Sequence, residues 1–229
     1  MRRPGERHVR WHFPTGCALL LLLSLIAFWD NLVSDVTQPS NSNPVMVVHG
    51  LFLLAWMILL LVQSLLPRLG RTDLHRKLGP YAFLVAAGVV VSTISLFITV
   101  WKGWEAVRPE ILANRIPLPS YALCLIAAWR YRRLPDRHKR LVFCGTLLLL
   151  EPVFARAFDP VVGPILPAMA PGEDMPIFLT WLFGTWTAFF VGLGVYDLLS
   201  RRRVHPITIG SLAWFYAAVA IAFTTAPAA

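Results

Sequence analysis

The sequence predicts an all-α, polytopic transmembrane bundle of seven spans, with its N-terminus inside and its C-terminus outside. Three observations carry this. Of 229 residues, 57% are apolar and only 14% are charged, with a mean hydropathy of +0.62. A soluble domain carries about 25% charged residues. The apolar residues fall into runs near the roughly 20 residues that a helix needs to cross a bilayer. Finally, 17 of the 21 Lys and Arg residues lie in four alternate polar segments. Cytoplasmic loops carry that excess of basic residues.

The chain divides into a basic cytoplasmic N-terminus (1–14), a seven-helix domain (15–225) and a short outer tail (226–229). Arg2, Arg3, Arg7 and Arg10 precede the run CALLLLLSLIAF. A signal peptide starts in the same way, but Trp29, Asp30 and Asn31 follow where a small-x-small cleavage site belongs. The run is therefore a retained first span, about Thr15–Ser34. DVTQPSNSNP has turn residues and no basic residue, and belongs outside. The second span is about Pro44–Leu66. PRLGRTDLHRK holds four basic residues and lies inside. The third span is about Pro80–Trp101, followed by the mixed segment KGWEAVRPEILANRIP. The fourth, about Leu118–Arg133, is short; Tyr131 and the arginines beside it snorkel to the surface. RYRRLPDRHKR, the most basic turn, returns to the cytoplasm. The fifth span is about Leu141–Val162, the sixth about Ile177–Ser200 and the seventh about Ile207–Thr225. In lipid every backbone polar group needs an internal partner, so each span is a helix.

The formal charge of +9 suits nucleic acid in a soluble protein. Here it is confined to short turns, so the expected partner is the bilayer itself, with anionic headgroups at the inner face and no nucleic acid. The surroundings also leave room for a membrane-protein complex. Cys17, Cys124 and Cys144 all lie in apolar runs without a CxxC pair, which indicates small core side chains and no disulfide framework. No G-x-S-x-G, P-loop or dinucleotide fingerprint occurs, and no inverted repeat of broken helices is apparent.

Ionisable groups within spans cost at least about 2.5 kcal/mol when they face lipid, so they point to interior contacts or to function. Glu151 stands near the middle of span five, and Pro152 after it should kink the helix. Arg156 is placed to pair with Asp159 three residues on. His49, Trp56 and Gln63 recur every seven residues and share one stripe facing the bundle. One reading gathers Asp30, His49, Gln63, Glu151 and Arg156 around an outward-facing polar pocket. The other makes them interhelical hydrogen bonds that hold the bundle.

At the inner face His75, Arg76, His138, Arg140 and His205 are candidates for binding an anion, a lipid phosphate or a quinone headgroup. The three histidines sit at a common depth, as a haem or metal site requires. However, no HxxxH or HExxH spacing occurs, and the neighbouring arginines repel cations, so no metal ligands are assigned. Haem also needs axial ligands facing each other at one depth. His49 lacks such a mate; Met46 and Met169 are the available sulfur donors.

The motifs HG…W…Q…GR…LHRKLG, RHKRL…EPVFAR and YDLLSRRRVHP, spanning Val48–Pro206, resemble a group of bacterial polytopic inner-membrane proteins. These share an HRxLG turn and an HKRLM-type turn. Val142 stands where that group has Met, and Glu151 where it has a small residue. The resemblance implies a multi-pass bacterial inner-membrane protein and no particular activity. A looser likeness to cytochrome-b561-type bundles rests on histidines near span ends. Two function classes follow. One is a small-molecule or lipid-binding protein acting as a sensor, carrier or accessory subunit. The other is a redox or metal-dependent enzyme using haem, metal or quinone at the histidines.

Overall fold

In the computed structural model the described residues, 11–101, 103, 114–166 and 172–225, are helical and contain no strand. Predicted features at His8, Lys102, Arg108, Met169 and the outer tail lie outside them. Among the described residues there are eight main helices. They are α1 (His12–Ala27), α2 (Pro44–Leu65), α3 (Thr72–Val100), α4 (Pro117–Arg130), α5 (Pro135–Leu147), α6 (Glu151–Val161), α7 (Met175–Arg201) and α8 (Pro206–Thr224).

Three of these, α2, α3 and α7, are long and apolar enough to cross a bilayer, and α5 with α6 makes a fourth if the bent pair is one span. The seven-span expectation thus meets three to four full-length candidates among the described residues. α1 and α8 are apolar but shorter. α4 has 14 residues, about 21 Å at 1.5 Å per residue, against a hydrocarbon core of about 30 Å.

Local chemistry sets the helix ends. α2 begins where the Asn43 side chain accepts from the backbone N–H of Val45 (3.0 Å), with Pro44 in the first turn. After α2 the chain turns at Gly70, whose φ of +76° favours glycine. α3 starts eight residues before the predicted span, so the LHRKLG motif is helical and Pro80 lies inside the helix. The proline withholds an N–H from the Arg76 carbonyl one turn back, and Arg76 is exposed, so water can serve that group. α7 ends on Arg202 in the left-handed region, φ 59°. α1 gives way after Phe28 to a π-helical turn, Asp30–Ser34.

The predicted kink at Pro152 is a break. α5 stops at Leu147, three residues depart from the helix, and α6 leaves at 63° with Glu151 and Pro152 in its first turn. A proline is well placed there because first-turn N–H groups have no intrahelical acceptor. Glu151 suits the positive end of the helix dipole. The carbonyl of Leu147 accepts the indole N–H of Trp186 (2.6 Å), and that of Phe154 accepts from Trp181 (2.7 Å). Two tryptophans of α7 thus hold both sides of the break.

α1 packs against α2, α6 and α7, while α2–α3 and α4–α5 form close antiparallel pairs. The core is apolar and aromatic: Leu20, Val89, Tyr121, Phe143, Leu147, Phe154, Phe190 and Leu193 are fully buried or nearly so. The outer faces of the same helices are apolar too. Leu84, Ile98 and Leu199 are each more than 65% exposed. An apolar perimeter of this extent is unfavourable in water and natural in lipid.

Close approach of α4 and α5 depends on Gly145. A Cβ there would lie 2.7 Å from Cys124 Cβ. Both atoms are fixed to helix backbones, so neither can swing away. We expect Gly145→Ala to destabilise the protein by about 1–3 kcal/mol, measured as a lower melting temperature in detergent. Adding Cys124→Gly should recover part of the loss.

Candidate functional site at the basic end of the bundle

The basic segments meet at one end of the molecule. His75 of the α2–α3 turn lies beside His138 of the α4–α5 turn, with ring centroids 6.3 Å apart. Arg201 at the end of α7 donates to Asp136 (2.7 Å). At the start of α1, His12 stacks on Tyr196 of α7 at 4.9 Å. The three described basic stretches, around residues 68–77, 130–140 and 201–203, therefore share one end of the bundle, with the start of α1 beside them.

A buried ion pair anchors this end. Arg140 and Asp197 are both 0% exposed. Arg140 donates to Asp197 Oδ1 through Nε (3.0 Å) and through Nη2 at closer range. Its Nη1 donates to the Asp136 carbonyl (2.6 Å). Asp197 Oδ2 accepts from the His205 backbone N–H (2.9 Å) and the Thr208 hydroxyl (2.6 Å). The carboxylate, carried by α7, thus receives donors from α5 and from the start of α8. A charge removed from water needs such pairing and further hydrogen bonds. Lys139 adds a bond to Tyr196 (2.7 Å) and a salt bridge to Asp136 (3.2 Å).

His205 caps α8: its Nδ1 accepts from the Ile207 N–H (3.1 Å). Burial, then the nearby Arg140 and Arg201, hold its pKa below the usual imidazole range, while Asp197 and Asp136 pull the other way. The cap therefore keeps a lone pair at neutral pH. Beside it opens a cleft of about 300 Å³, lined by Ala127, Leu141, Pro206 and Ile207 with Tyr131, Arg137 and His205. The Arg137 guanidinium lies over the Tyr131 ring at 5.1 Å.

Each of the paired histidines is fixed from behind. His75 Nδ1 is 3.1 Å from the Gln63 carbonyl and His138 Nδ1 is 3.0 Å from the Ala128 carbonyl. Gln63 also folds onto this turn, with its amide nitrogen toward the His75 carbonyl and its oxygen toward the Gly79 N–H, each at 3.2 Å. Phe83 packs on Trp129 (4.8 Å) and near His138 (6.4 Å).

The residues expected around an outward pocket are placed in separate contacts. The stripe on α2 faces the bundle throughout: His49 bonds to Ser92 of α3 (3.1 Å), Trp56 donates to Thr146 of α5 (3.2 Å), and Gln63 meets His75. Gln63 is 14 residues from His49, about 21 Å along the helix, and belongs to the basic end. Arg156 donates to Asn31 (3.2 Å) and lies over the Phe28 ring (4.7 Å) instead of pairing with Asp159. Asp30, next to Asn31, is exposed and accepts the Asn31 N–H (2.8 Å). Glu151 is half-buried at the start of α6.

The sequence reading assigns no site role to Asp197, Asp136 or Arg137, and it places Tyr131 only as a side chain that snorkels to the surface. Asp197 carries a signal that finds it: it is a carboxylate four residues before the basic run that closes α7, and an acidic group in an apolar helix needs a partner. Among the described residues no group of three or more His, Cys, Asp or Glu is arranged to hold a metal ion. No family model, curated protein or solved structure matches this chain.

Proposed function

We propose that this is a seven-span protein of a bacterial inner membrane whose basic end faces the cytoplasm, and that it binds an anionic lipid or lipid-like molecule there. Sensing, carriage or work as a subunit of a membrane complex would each use such a site. The observation that carries the reading is the cleft beside Arg137. Arg140, Lys139 and Arg201 are engaged with Asp136 and Asp197. Arg137 has no ion pair among the described residues and stands over Tyr131 at an apolar-lined cleft. A volume near 300 Å³ is at the lower limit of small-molecule sites and suits a headgroup. Exposed Leu123 and Ile126 of α4 and Ile209 of α8 offer an apolar path for a tail.

The test is a melting curve in neutral detergent with added phosphatidylglycerol or phosphatidylcholine. Phosphatidylglycerol should raise the melting temperature and phosphatidylcholine should not. One basic residue near an anionic surface contributes about 1 kcal/mol. Arg137→Ala should therefore weaken the response about fivefold, while Arg202→Ala leaves it intact. Equal responses to the two lipids, or an unchanged response in Arg137→Ala, would overturn the reading.

A further inference from the structure

We propose that His205 is the second polar contact of the cleft beside Arg137: its Nε2–H donates to the bound headgroup, and the two residues together select a singly charged phosphodiester. This rests on the lipid reading above and names the chemistry that the cleft accepts.

The fold fixes the tautomer. His205 Nδ1 lies 3.1 Å from the Ile207 backbone nitrogen. A backbone N–H only donates, so Nδ1 carries the lone pair. A neutral imidazole with its lone pair on Nδ1 has its one proton on Nε2. A proton on Nδ1 would set two hydrogens against each other at the start of α8.

The residue is also held in place. Its N–H donates to Asp197 (2.9 Å), and its carbonyl accepts from the N–H groups of Thr208 (2.9 Å) and Ile209 (3.2 Å). Pro206 after it keeps its backbone extended. His205 is only 9% exposed, yet it lines the cleft. Nε2 has no hydrogen-bond partner among the described residues and is not sealed from solvent. With Nδ1 and the main-chain groups engaged, Nε2–H is the polar group that His205 offers to the cleft.

The charge balance then selects the ligand. Arg137 faces the cleft from α5 and His205 from the turn into α8. A space near 300 Å³ takes a single headgroup, which meets both. Ala127, Leu141, Pro206 and Ile207 make the rest of the wall largely apolar, and charge in such surroundings needs a matched partner. Arg137 brings one positive charge, and a neutral His205 brings none. A phosphodiester has one negative charge and two free oxygens, one for each donor. A phosphomonoester carries about −1.5 to −2 at neutral pH, which Arg137 alone does not balance. Lys139, Arg140 and Arg201 are already engaged with Asp136 and Asp197.

The experiment follows melting of the full chain in neutral detergent. Phosphatidylglycerol is titrated against phosphatidic acid at a pH where the latter is doubly charged. The wild type should respond to phosphatidylglycerol at the lower concentration. His205→Ser and His205→Asn each keep an oxygen to cap α8 but lack the reach of Nε2. Without lipid both should melt with the wild type. Their half-maximal phosphatidylglycerol concentration should rise about tenfold, as expected for loss of a hydrogen bond to a charged group. A response that depends on Arg137 but is unchanged in both His205 variants overturns this inference and leaves the lipid reading standing. A response unchanged in Arg137→Ala overturns both. Should the His205 variants melt early without lipid, the wild type's choice decides: an equal or stronger response to doubly charged phosphatidic acid overturns the proposal, and a preference for phosphatidylglycerol supports it.

Discussion

Replacing Asp197 by Ala should abolish most folded protein. The substitution leaves Arg140, 0% exposed, with its charge uncompensated. It also strips the acceptor from the His205 N–H and the Thr208 hydroxyl. Removing one partner of a buried ion pair costs about 3–5 kcal/mol. Folded domains have only about 5–15 kcal/mol in total. Arg140→Ala should be similarly damaging, because Asp197 would keep only the bonds from His205 and Thr208 and would lose both Arg140 donors with its counter-charge. The double variant Arg140→Met, Asp197→Leu removes both charges at comparable volume and should recover much of the loss. Yield of monodisperse protein on size-exclusion chromatography reads the difference. A double variant as poor as either single one would show that Asp197 matters chiefly as the acceptor for the α8 turn.

The second large effect is expected at the helix break. Trp186 is 4% exposed, packs on Phe154 and Phe215, and donates its indole N–H to the Leu147 carbonyl. Trp186→Ala empties a core site, which costs about 3–5 kcal/mol. Trp186→Phe retains most of the packing and loses the donor. Its cost should be about 1–3 kcal/mol, the penalty of a buried group deprived of its bond. Thermal melts in detergent should therefore rank wild type, Trp186→Phe, then Trp186→Ala. If Phe were as harmful as Ala, the indole N–H would outweigh the ring volume.

Apolar run lengths and the sidedness of the basic turns made the helical class and the shared basic end legible without coordinates. The kink near Glu151 was legible as well, because Pro152 cannot continue the backbone ladder. Its size was not. Leu147–Leu150 has the composition of an uninterrupted span, and only the tryptophans of α7, far along the chain, make departure from the helix affordable. The same limit hid the approach of His75 to His138. They belong to different hairpins, and the spacing rules that reveal ligand pairs act within one helix. Arg140 could be picked out as basic and near a headgroup region. Its burial depends on Asp197, 57 residues later. The weak point of the sequence reading lay in length: α4 is helical where expected, yet too short to be recognised as a span on its own.

That distance along the chain between Arg140 and Asp197 has a consequence for biosynthesis. Arg140 leaves the ribosome well before its carboxylate, and an unpaired guanidinium resists entry into hydrocarbon. The N-terminal part of α5 must wait at the aqueous boundary until α7 has been made. Arrival of Asp197 then draws the hairpin ends together in one late step. A nascent chain stopped after α6 should accordingly hold its first helices loosely, and release of α7 is the event that locks them.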